Sequence, residues 1–131
     1  GSATLEYAAM AGQTATLQWA ASEGCPADRL AVVDYAALGG SLAAMKWLRA
    51  NGYPGQQHTT FLASRSGNRE LVEWLCDNGC PRNEPEMCSW AARRGLRDLL
   101  AWARGRGYAW DRAECRRLAP TAEMLALIES L

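Results

Sequence analysis

Five cysteines and one histidine are the residues of this chain best suited to chemistry: Cys25, Cys76, Cys80, Cys88, Cys115 and His58. Thiolates and an imidazole suit zinc, which takes four such ligands at short paired spacings. Here Cys76 and Cys80 lie four apart and Cys88 eight further on, so no paired scheme fits and no metal ligand is expected. Nucleophilic catalysis needs a base beside a serine or cysteine. His58, however, occupies a position that other copies of a recurring segment fill with Ala3, Ala31 and Glu86, which suits helix initiation or packing. There is no Gly-x-x-x-x-Gly-Lys phosphate loop and no Gly-x-Gly-x-x-Gly. Catalytic residues, cofactor and metal are all expected to be absent, and the chain does not read as an enzyme. An odd number of scattered cysteines is not a disulfide framework, so they are expected as thiols in a reducing intracellular compartment, the cytoplasm.

The recurring segment is the organising unit. Glycine opens it at 12, 40, 67 and 95, tryptophan follows at 19, 47, 74 and 102, and a second glycine closes it at 24, 52, 79 and 107. A fixed period of this length marks stacked supersecondary units. Helical spacing gathers Ala44, Met45, Trp47 and Leu48 on one broad arc and leaves Leu42 outside it. Position 42 becomes Thr14, Arg69 and Arg97 in the other copies. Upstream, Val32, Val33, Ala36 and Ala37 share one side of a first helix, while Asp34 and Leu38 share the opposite row. The four repeated tryptophans, fixed beside the arc, are expected in the core rather than as a stacking platform for bases. The closing glycine suits a left-handed helix stop, and Pro26, Pro54 and Pro81 follow it. Each unit thus reads as helix, turn, helix, stop.

The run Ala36-Ala37-x-x-Gly40-x-Leu42-x-x-Met45-Lys46-x-Leu48-x-x-Asn51-Gly52 resembles the ankyrin repeat. It is closer to short, tryptophan-containing ankyrin-like repeats with a Gly-Cys-Pro turn, present here as Gly24-Cys25-Pro26 and Gly79-Cys80-Pro81. Their Trp-Asp-x-x-x-Cys opening matches Trp110 to Cys115. The expected architecture is an all-α helical-repeat solenoid of about four helix pairs with a degenerate C-terminal cap, one domain over 1–131. Repeats fall at 3–28, 29–56, 57–83 and 84–111, and the cap at 112–131. The units are shorter than ankyrin's roughly 33 residues and lack its Thr-Pro-Leu-His motif, so the β-hairpin finger loses its sequence signal. The resemblance implies a protein-interaction scaffold that binds a partner polypeptide on the concave first-helix surface. Carried over by position, the partner-binding residues are Glu6, Met10, Asp34, Leu38, Phe61, Arg65, Arg93 and Arg94. Trp110 joins them as an aromatic in a turn whose proline is lost.

Formal charge is zero, but the balance is uneven: residues 82–117 hold nine arginines against five acids. Guanidinium favours planar carboxylate or phosphate partners. The first-helix row runs from acidic and apolar to basic, which suits a protein partner with an apolar segment and an acidic end. An RNA-binding helical repeat using the basic residues of 82–117 is the alternative, and nucleic acid is otherwise disfavoured. No apolar run approaches the ~20 residues of a bilayer span, so no membrane is expected. Gly1-Ser2 reads as an expression scar. The first helix has only Thr4 as a cap, which predicts a chain excised from a longer repeat array or larger protein.

Overall fold

The computed structural model describes residues 2–24 and 29–131, and no strand occurs among them. Ten helices follow in order: α1 (Ser2–Ala11), α2 (Thr14–Ser22), α3 (Arg29–Gly39), α4 (Leu42–Ala50), α5 (Gln57–Arg65), α6 (Arg69–Asp77), α7 (Glu84–Arg93), α8 (Arg97–Gly105), α9 (Arg112–Leu118) and α10 (Ala122–Ser130). Thr4, expected as a cap, lies inside α1. Cys25 and Pro26, expected in a Gly-Cys-Pro turn, lie outside the described residues. The chain divides into two compact units, Gly1–Pro81 and Arg82–Leu131.

The helix boundaries follow from local chemistry. Ser41, Asn68, Asn83, Asp111 and Thr121 each accept a hydrogen bond from a backbone N–H three residues on, satisfying a donor that the first helical turn leaves unpaired. At the other end of α4, Gly52 at φ 81° lets its N–H reach the Arg49 carbonyl at 3.2 Å and the Tyr53 N–H reach Leu48 at 2.9 Å. That pair of bonds defines the left-handed glycine stop.

In residues 1–81, α1, α3 and α5 pack in succession and so do α2, α4 and α6, each first helix also meeting its own second helix. The core here is Ala8, Ala9, Leu17, Val32, Val33, Ala36, Ala37, Ala44, Met45, Leu48, Leu71, Val72 and Leu75, all buried. Small residues let first helices approach closely: a Cβ on Gly39 would stand 2.0 Å from the Met10 carbonyl oxygen. Three polar side chains, Thr59, Thr60 and Ser64, are buried as well. Thr60 donates to the Pro81 carbonyl at 2.7 Å and Ser64 to the Thr60 carbonyl at 2.9 Å, so their hydroxyls are satisfied.

In residues 82–131, α7 packs on α8 and α9, and α10 packs on α8 and α9. Met87, Cys88, Leu100, Cys115, Met124 and Ile128 fill the core, with Leu125 turned outward. Arg112 donates to the carbonyls of Ile128 and Glu129 at 3.2 and 3.0 Å, a cation at the C-terminal end of α10 where its dipole favours one. Arg116 meets Glu129 at 2.9 Å.

The tryptophan row differs from expectation. Trp47, Trp74 and Trp102 are half-buried and Trp19 is 59% exposed; the fully buried positions are their neighbours, Leu17, Met45, Val72 and Leu100. Two of the indoles instead cover the turn that ends their own helix. Trp47 lies 6.1 Å from the buried Tyr53, and Trp102 packs edge-on against the buried Tyr108 at 5.4 Å. An indole serving as the lid of a turn stays at the rim of the core.

Candidate functional site

On α1 and α3 the residues that point away from the core form a groove of about 330 Å³ lined by Glu6, Tyr7, Met10 and Tyr35. Tyr7 is 72% exposed, and Leu38 is exposed on the same α3. The helical register explains the grouping: Tyr7 and Met10, like Tyr35 and Leu38, stand at i, i+3 on one face. Glu6 and Met10 are two of the residues expected to bind a partner. Tyr7 and Tyr35 were hidden by their place in the repeat, immediately before the double alanine, where the third copy has the buried Leu62. The signal was a tyrosine in both of the first two copies, an aromatic with a polar tip that tolerates water.

Asp34 has a different occupation. Its carboxylate accepts from Thr59 Oγ1 at 2.7 Å and from Gln56 Nε2 at 3.4 Å, which ties α3 to the start of α5. Thr59 Oγ1 in turn accepts the Gln56 backbone N–H at 3.2 Å, closing a capping box. Phe61 is half-buried with the exposed His58 stacked 6.2 Å away, and Arg65 is exposed at the end of α5.

Arg93, Arg94 and Trp110 belong to residues 82–131. Both arginines are exposed and Trp110 is half-buried. The Arg94 guanidinium lies 5.6 Å from the Trp90 ring, and Trp110 has Arg104 at 4.7 Å and Arg112 at 5.9 Å, distances at which a cation is attracted to an aromatic face. Arg104 also donates to the Tyr108 carbonyl. Arg82 pairs with Glu84 at 2.9 Å and covers Tyr108 at 4.3 Å. Arg106 covers Trp102 at 5.0 Å, Arg116 pairs with Glu129 and Arg117 with Glu114 at 2.6 Å. The Arg117 hydrogen bond holds the Glu114 carboxyl below its ordinary value. Most of the basic stretch is therefore engaged within the fold, and Arg93 and Arg97 are left as exposed guanidiniums with no such contact among the described residues.

Cys76, Cys80, Cys88 and Cys115 are thiols and form no disulfide. Burial pushes the Cys80, Cys88 and Cys115 thiols up, Cys88 to about 12, so they are held protonated and unreactive. Among the described residues no three of histidine, cysteine, aspartate and glutamate come together around a space for a cation, and no helix is long and apolar enough to cross a membrane. Neither protein-family models nor curated proteins match the sequence.

Proposed function

We propose that the protein is an ankyrin-like helical-repeat solenoid acting as an interaction scaffold, which binds a partner polypeptide on its first-helix surface in a reducing, cytoplasmic setting. The observation that carries this reading is the groove of Glu6, Tyr7, Met10 and Tyr35, with Tyr7 72% exposed. Exposed aromatic and aliphatic side chains grouped on one face mark interaction surfaces more than isolated ones do, and tyrosine binds well because it buries area at low entropic cost. Glu6, Met10, Leu38, Phe61, Arg65, Arg93 and Arg94 are the proposed contacts, with Tyr7 and Tyr35 added. Asp34 supports the surface by holding α3 to α5.

The RNA-binding alternative draws on the 82–117 arginines, and their engagement with rings and carboxylates weighs against it. The experiment is affinity capture with the wild-type chain and with Tyr7→Ala/Met10→Ala, followed by a salt titration of whatever is retained. A polypeptide lost by the variant, with affinity steady from low to moderate salt, is the expected result. Recovery of nucleic acid whose affinity falls by orders of magnitude over that salt range would replace the scaffold reading with the alternative.

A further inference from the structure

A second groove lies between second helices. Lys46, Arg49 and Ala50 of α4 face Trp74 and Asn78 of α6 across a space of about 330 Å³. Its composition is not imposed by the repeat: the same positions one copy earlier are Gln18, Ala21 and Ser22 on α2 opposite Trp47 and Asn51. Lys46 and Arg49 put two cations on one wall of this groove. Neither Lys46 nor Arg49 forms an ion pair among the described residues, although α6 carries acids, of which Glu73 is held by Arg69 at 3.4 Å.

Arg49 is the informative member, because the residue is half-buried and its guanidinium lies beside Gly55. A Cβ on Gly55 would come within 3.2 Å of Arg49 Nη1 and 2.8 Å of Cys80 Sγ. The guanidinium is thus packed beside Gly55 and Cys80 without a carboxylate at ion-pair distance among the described residues, which leaves its donors able to take an anion. Trp74 adds an apolar wall, and Asn78 is anchored by its Nδ2 donating to the Trp74 carbonyl at 2.8 Å.

We propose that this groove receives an acidic peptide, seating one carboxylate between Lys46 and Arg49 and an adjoining apolar side chain against Trp74. Charge selects this occupant over a nucleic acid strand. Residues 1–81 carry five cations against seven acids, a net of −2, and α6 bears Glu70, Glu73 and Asp77. A nucleic acid strand would bring a charge at every residue into that surrounding field, whereas a peptide with one carboxylate brings a single charge to the two local cations. The proposal is independent of the first-helix reading.

The test follows the Trp74 indole N–H by heteronuclear NMR, assigned through Trp74→Phe, while the wild-type chain is titrated with a capped peptide carrying a single aspartate beside a leucine. Its asparagine counterpart is the control. The expected result is a saturable Trp74 shift with the acidic peptide, about tenfold weaker binding of the asparagine peptide, and unmoved Tyr7 and Tyr35 signals. Lys46→Gln, a change of an exposed residue, should weaken the acidic peptide alone, and Lys46→Gln/Arg49→Gln should abolish the preference. No Trp74 shift at millimolar peptide, equal response to both peptides, or tighter binding of a single-stranded oligonucleotide would overturn it.

Discussion

At the scale of single residues, three glycines that look alike in the sequence have three different obligations. Gly107 sits at φ 77° with open space around its missing side chain, so Gly107→Ala should cost about 1–2 kcal/mol for the left-handed backbone alone. Gly105, two residues earlier, has no such φ and equally open space. Gly105→Ala should stabilise by about 0.4–1 kcal/mol through the unfolded chain. Gly39 meets the Met10 backbone, and its alanine variant should cost about 1–3 kcal/mol by overpacking, or more if α1 must move. Chemical denaturation of the three variants checks the order. The same method separates Met45 from Trp19. Met45→Ala, at a fully buried position, should lose about 2–5 kcal/mol, and Trp19→Ala less than about 1 kcal/mol. Comparable losses would return the tryptophan row to the core.

At the scale of helices, much was legible because it is periodic. The glycines, the paired small residues of the first helices and the apolar arc around each tryptophan recur at fixed spacing, and their burial or left-handed backbone follows from that spacing. What was not legible depended on the neighbour rather than the residue. Glu6 and Asp34 share one register position, and nothing in either helix distinguishes them. The difference lies one helix further on, where Asp34 finds the Thr59 hydroxyl at 2.7 Å, while the residue in register with Thr59 one copy earlier is Val32. Glu6 therefore borders an open groove and Asp34 becomes a tie. Asp34→Ala should cost about 1–3 kcal/mol, because the buried Thr59 hydroxyl loses its acceptor. Glu6→Ala should leave the melting temperature nearly unchanged. The tryptophans were misplaced for a related reason: a helical wheel shows the side of a helix but not the turn that an indole bends over to cover.

For the molecule as a whole, zero net charge conceals guanidiniums that are largely committed to rings and carboxylates, so basic composition is a poor guide to what the surface offers. The thiols give a cleaner global signal. Burial raises the folded-state pKa of Cys88 from 9.0 to about 12 and raises those of Cys80 and Cys115 in the same direction. Above pH 9.0 the unfolded chain has released these protons and the folded chain still holds them. The unfolded state then binds fewer protons, and stability falls as pH rises, by about 1.4 kcal/mol per pH unit for Cys88 alone. Urea midpoints measured on either side of that pH should show the decline, and Cys88→Ala should flatten it.

Burial of those sulfurs also makes them clocks. Cys80 lies in residues 1–81, and Cys88 and Cys115 lie in residues 82–131. A thiol reagent in water can reach Cys80 only when the first unit opens, and Cys88 or Cys115 only when the second does. Labelling rates at the separate sulfurs therefore time the two openings independently, within one molecule and without an introduced cysteine. Unequal rates would show which of the two units gives way first.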